Sequence, residues 1–175
     1  MIPSVLGLWN ARRGRKAAVA AIAPLVERSR NRLNGIADGV WFDPYMIGFL
    51  VMLITLVAHR KARVLDNHSL GIVQSEAWAA ITGLKPELIG EEVVHLSAMG
   101  DGDFEIGCRN AIAFSQALDK MPMRGDDDPR ELELFSLGPG GIEPADFAES
   151  ASVVALWSHY FDAHVTELPA GPAPA

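Results

Sequence analysis

Glu92 and His95 stand three residues apart, a spacing that on a helix puts a carboxylate and an imidazole one turn from each other on one face. Carboxylate-bridged di-iron bundles use this spacing, but they need a second such pair and two further inward glutamates. No other Glu-x-x-His occurs in the chain, so no metal is expected. The stretch Asp66 to Gly71 imitates the opening of a calcium loop, with an acid first and a glycine sixth. Its third, fifth and twelfth positions are His68, Leu70 and Ala77, which cannot supply the oxygen ligands required. Asp101-Gly102-Asp103 fails for a different reason, because Ile106 occupies the position that must be glycine. His159 and His164 are five apart and share a helical face poorly. Cys108 falls on an apolar stripe, where a thiol is buried and inert more often than reactive. Gly138-Pro-Gly-Gly141 lacks a lysine and a preceding strand, so turn chemistry accounts for it. With no Gly-x-Ser-x-Gly or dinucleotide fingerprint either, neither a catalytic residue nor a cofactor is expected, and a motif-less enzyme ranks third among the functional readings.

What the residue types do offer is a surface. Ile2, Val5, Leu6, Leu8 and Trp9 precede Arg12, Arg13, Arg15 and Lys16, which joins an apolar wedge to a basic anchor suited to anionic headgroups. A second basic cluster, His59, Arg60, Lys61 and Arg63, follows a long apolar run. The candidate partner or membrane surface is therefore Trp9, Arg12, Arg13, Arg15, Lys16, Arg60, Lys61 and Arg63. The net charge of −7 hides a polarity: residues 1–63 hold ten Lys or Arg against three acids, and residues 64–175 hold five against nineteen. Such asymmetry can steer one face toward phosphates or lipid, or neutralise itself across the fold. Nucleic acid is not expected. Ala79, Gly83, Leu84 and Ile89 match helix-turn-helix spacing, but the reading helix would carry Glu87, Glu91 and Glu92 against Lys85 alone, opposing phosphate contact.

The elements that would position these residues are helical. With 175 residues, 49% of them apolar, one domain can bury a sizeable core. Cys108 is the only cysteine, so no internal disulfide forms and a reducing compartment, the cytoplasm, is the natural reading, with attachment at the inner membrane as its alternative. The basic start followed by Ala17 to Val26 resembles a signal peptide, but five alanines and Pro24 make its apolar core too thin for cleavage to be expected. A basic arm over 1–15 is expected to precede an amphipathic helix from Lys16 to Leu33, kinked or restarted at Pro24. Asp43-Pro44 marks the strongest helix start in the chain. The following run, Tyr45 to Ala58, has no charge and spans about 21 Å, shorter than the roughly 30 Å of bilayer hydrocarbon, so burial inside protein is expected. Further helices are predicted over Ser69 to Thr82, Pro86 to Leu96 and from Asp101 through Leu118. A last helix from Glu143-Pro144 carries Phe147, Ala151, Val154, Ser158, Phe161, Val165 and Leu168 at heptad-like spacing. An acidic connector over 120–142 and a disordered tail over 169–175 complete the layout. The expected fold is all-α, a single domain (1–168) in which about six helices form an orthogonal or bundle-like array around an apolar central helix at about 44–62.

Within residues 12–120 the chain combines a basic N-terminus, an alanine-rich helix, Trp41 or Phe42 heading the long apolar helix, and closure of that helix by His59-Arg-Lys-Ala-Arg63. In this order of features it resembles the ubiquinol-cytochrome c chaperone family of bacterial and mitochondrial assembly factors. The chain departs from the family at its Arg-Glu-x-Gly-x-Gly-Asp segment, where Leu88-Ile-Gly-Glu-Glu92 stands. The resemblance implies a helical, non-enzymatic assembly or binding role. A protein partner is accordingly expected, an anionic membrane surface and self-association remain open, and binding of a small apolar ligand such as a lipid is the alternative function.

Overall fold

The computed structural model describes residues 5–62, 64–119 and 144–168. The acidic connector at 120–142, Glu143 of the expected last-helix start, the tail at 169–175, Arg63 and the first four residues of the basic arm lie outside the described residues. All regular structure among the described residues is helical, which bears out the all-α expectation.

Helix α1 runs from Val5 to Arg32, so most of the expected arm is the first part of the helix rather than a segment leading to it. It passes Pro24 without a break. A proline there costs about 3 kcal/mol, and the fully buried Ile22, Leu25 and Val26 around it offset this at roughly 1.5–3 kcal/mol each. The helix ends where Asn34 takes a φ of 59°, which lets the Gly35 N–H bond the Arg30 carbonyl at 2.8 Å. A 3₁₀ turn, Asp38–Phe42, then buries Val40 and Trp41.

Helix α2, Pro44–Lys61, begins as its residues dictate: the Asp43 carboxylate accepts from the Met46 amide at 3.2 Å and Pro44 fills the first helical position. Its apolar residues from Tyr45 to Val51, with Leu53, Ile54, Val57 and Ala58, are buried. It is long and apolar enough to cross a membrane, and 61% of it is buried inside the fold. Helix α3, Asn67–Thr82, starts two residues before the predicted Ser69 because Asp66 caps it, accepting from the Ser69 amide at 2.7 Å. Gly83, at a φ of 83°, ends it as predicted. Helix α4 spans Glu87–Met99 and helix α5 spans Gly102–Asp119, capped by Asp101 through the Phe104 amide at 2.9 Å.

The chain returns in α6, Pro144–Trp157, which passes through a π-helical turn, Ser158–Asp162, into α7, Ala163–Glu167. That turn corrects the predicted heptad stripe. From residue 151 on, the residues buried ahead of it are Val153 and Trp157, each one position before the expected Val154 and Ser158, whereas Phe161 is buried as expected. A π turn holds one residue more than α spacing allows, so a stripe counted back from Phe161 slips by one.

Central helix α2 packs against α5, α1 and α3, and one apolar core extends from Ala11 on α1 to Phe161. The α2–α5 crossing is backbone to backbone. A Cβ at Gly48 would collide with the Phe104 carbonyl, and one at Gly107 would collide with the Tyr45 carbonyl. Beside it, Phe49, Phe114, Trp157 and Phe161 form an aromatic cluster, with Trp157 stacked on Phe161 at 4.5 Å between ring centres.

Candidate functional site

The first half of α1 buries Ala11, Gly14, Ala18 and Ile22 and leaves Leu8, Trp9, Arg12, Arg13 and Lys16 exposed. At 100° per residue these five fall within one arc opposite the buried stripe. Trp9 is 60% exposed and Leu8 51%, so the two form an adjacent apolar pair on the cationic face. The Arg13 guanidinium sits over the Trp9 ring, 5.8 Å from its centre. Arg15 lies at the edge of this face, where it pairs with Glu76 of α3 at 3.2 Å with both side chains about half exposed, an ion pair of little energetic consequence in water.

Tertiary packing brings the second basic cluster to the same end. Gly14 meets Ala58 of α2, and the Asn10 amide donates to the Val64 carbonyl just past α2 at 3.1 Å. Val64 itself is 74% exposed. Lys61 is half-buried there. Arg60 is also half-buried and donates to the Ser115 carbonyl of α5 at 2.7 Å, which ties it to the fold. Of the eight residues singled out from sequence, Trp9, Arg12, Arg13 and Lys16 thus share one exposed face, Arg15 borders it, Arg60 and Lys61 stand beside it, and Arg63 lies outside the described residues.

A second polar constellation had no sequence signal, because its members are up to 121 residues apart. His164 Nε2 lies 2.9 Å from the Asp43 carboxylate that caps α2, and the Tyr45 ring stacks on the His164 ring at 4.0 Å. The Tyr45 hydroxyl donates to the Tyr160 carbonyl at 2.8 Å and accepts from the Asn110 amide at 3.0 Å. Burial pushes the Tyr45 phenol above its ordinary value, and the Asn110 hydrogen bond opposes that. With donor and acceptor both used inside the fold, the phenol is a joint between α2, α5 and the last helix rather than an acid or base for a substrate. Two further ties hold the last helix: the Trp157 indole N–H donates to Ser29 at 2.8 Å, and buried Asp162 pairs with Arg32.

Burial first, and then the nearby Glu105, push the Cys108 thiol above its ordinary value, and its Sγ faces the Gly48 carbonyl at 3.5 Å. It is poorly placed as a nucleophile, which requires the thiolate. Among the described residues no three His, Cys, Asp or Glu side chains come together in a way that could hold a metal ion. On α4, Glu87, Glu91 and His95 are exposed, and so are the apolar Val94 and Met99. No family model matches the chain, and no curated protein and no solved structure matches it either.

Proposed function

We propose that this chain is a non-catalytic helical interaction protein, of the assembly-factor kind that the resemblance implies, and that it meets an anionic partner with the end formed by the first half of α1 and the close of α2. The observation that carries this reading is the exposed face of Leu8, Trp9, Arg12, Arg13 and Lys16. Tryptophan and arginine are the side chains that most often anchor binding surfaces, since each brings a large contact area together with a polar handle. An exposed leucine and tryptophan set among cations can add buried apolar area to charge attraction when a partner covers them. The alternative of a small apolar ligand draws less support, because the largest fully buried side chains, among them Trp41, Trp157, Phe49, Phe114 and Phe161, occupy the interior themselves.

A photo-crosslinking residue in place of Trp9 tests the reading in living cells. A discrete adduct from position 9 that is absent when the same residue replaces exposed Ala98 on α4 is the expected result. Identical adducts from both positions, or none from either, would overturn it.

A further inference from the structure

Resting on that reading, we infer that the anionic partner of the α1 face is the headgroup layer of a lipid bilayer. Leu8, Arg12 and Lys16 follow one another at intervals of four, and Trp9 and Arg13 form a second row beside them. The result is a strip about 12 Å long on a single convex helix. A protein partner would need a groove shaped to that helix, whereas headgroups conform to it without shape complementarity. Tryptophan has a defined place in such a layer, with its ring at the boundary between headgroup and acyl chain and cations beside it in the phosphates. The Arg13 guanidinium, over the Trp9 ring, keeps a cation next to the indole on this face. Val64, tied to α1 through Asn10, adds a third exposed apolar side chain at the same end.

The charge distribution sets the orientation. From Met1 to Val26 the sequence has four cations and no acid, and at the edge of this face Glu76 pairs with Arg15. Glu87, Glu91, Asp103 and Glu105 are exposed on α4 and α5 and would be repelled by the same bilayer. A chain of net charge −7 is therefore favoured to approach an anionic surface through the α1 face rather than through α4 or the start of α5.

Flotation of the full chain with vesicles tests the inference. Vesicles of phosphatidylcholine with about one third phosphatidylglycerol should carry the protein upward, pure phosphatidylcholine should not, and roughly 1 M salt should release it by screening. Each cation near an anionic surface contributes about a fivefold factor, so Arg12→Ala with Lys16→Ala should lower partition about 30-fold. Because both side chains are exposed, the thermal midpoint of that variant should match the parent's. Trp9 fluorescence gives a second readout: the blue shift on binding anionic vesicles should vanish in Trp9→Phe, since Trp41, Trp78 and Trp157 are already buried. Equal partition into both vesicle types, or none into either, would overturn the inference. If a protein adduct still forms from position 9 in that case, the interaction reading stands with an acidic protein as occupant; if no adduct forms, both fall.

Discussion

Single residues here act mainly through what their surroundings do to them. Tyr45 and Cys108 hold their protons more tightly in the fold than in the unfolded chain, because burial disfavours the charged form of each. For groups whose values are raised in this way, stability is complete below the unfolded values, 9.0 for the thiol and 10.0 for the phenol, and is lost as pH rises through the folded ones. On the alkaline side the urea midpoint should therefore fall above pH 9. Cys108→Ala should delay the onset toward the range of Tyr45. A midpoint unchanged up to about pH 11, where an ordinary tyrosine is ionised, would contradict this account. Asp66 acts at the other limb. Its backbone hydrogen bond from Ser69 lowers it below 3.8, so what it contributes is present above that value and is lost as pH falls further.

Helices in this molecule meet where side chains are missing. The α2–α5 crossing depends on Gly48 and Gly107, each too close to the other helix's backbone to accept a Cβ. Gly107→Ala would raise helix propensity by about 1 kcal/mol and yet force the helices apart at the larger overpacking cost of about 1–3 kcal/mol or more. A net loss of stability is expected, read as a thermal midpoint several degrees lower. The same change at exposed Gly90 of α4, where an added Cβ would meet nothing within 4 Å, should raise the midpoint. If both substitutions stabilise equally, the crossing is not as tight as described. Arg30 works across elements in the opposite sense, adding a link: its guanidinium donates to the last carbonyls of α3, at Ile81 and Thr82, and lies over the Trp41 ring. Such a cation at a helix C-terminus satisfies carbonyls that have no partner in the helix.

At the level of the whole molecule, one core joins the last helix to the first despite the long stretch of sequence between them. Trp157 connects the two, lying in the aromatic cluster beside α2 and α5 and donating to Ser29 of α1. Trp157→Ala should cost about 3–5 kcal/mol and lower the thermal midpoint by roughly 10 °C for a chain of this size. Because the core is shared, unfolding should remain one transition by both near-UV and far-UV signals. Two separate transitions would show that the last helix folds on its own account.

Local chemistry was legible in the residues alone. Asp43-Pro44, Gly83 and Asp101 act on amides and carbonyls within a turn of themselves, so helix limits could be read from them directly, and the uncharged run after Tyr45 could be hidden from water only by burial. The basic residues of α1 were legible as a candidate surface, because charge is a property of the residue type. What required the fold was every relation between distant segments: that Val64 lies beside Asn10, that Arg60 is spent on Ser115, that His164 faces Asp43, and that Gly48 and Gly107 coincide. The passage of α1 through Pro24 and the one-residue slip at the π turn belong to the same class. In each of these the deciding free energy comes from packing against a partner helix, and no local pattern encodes which partner that is.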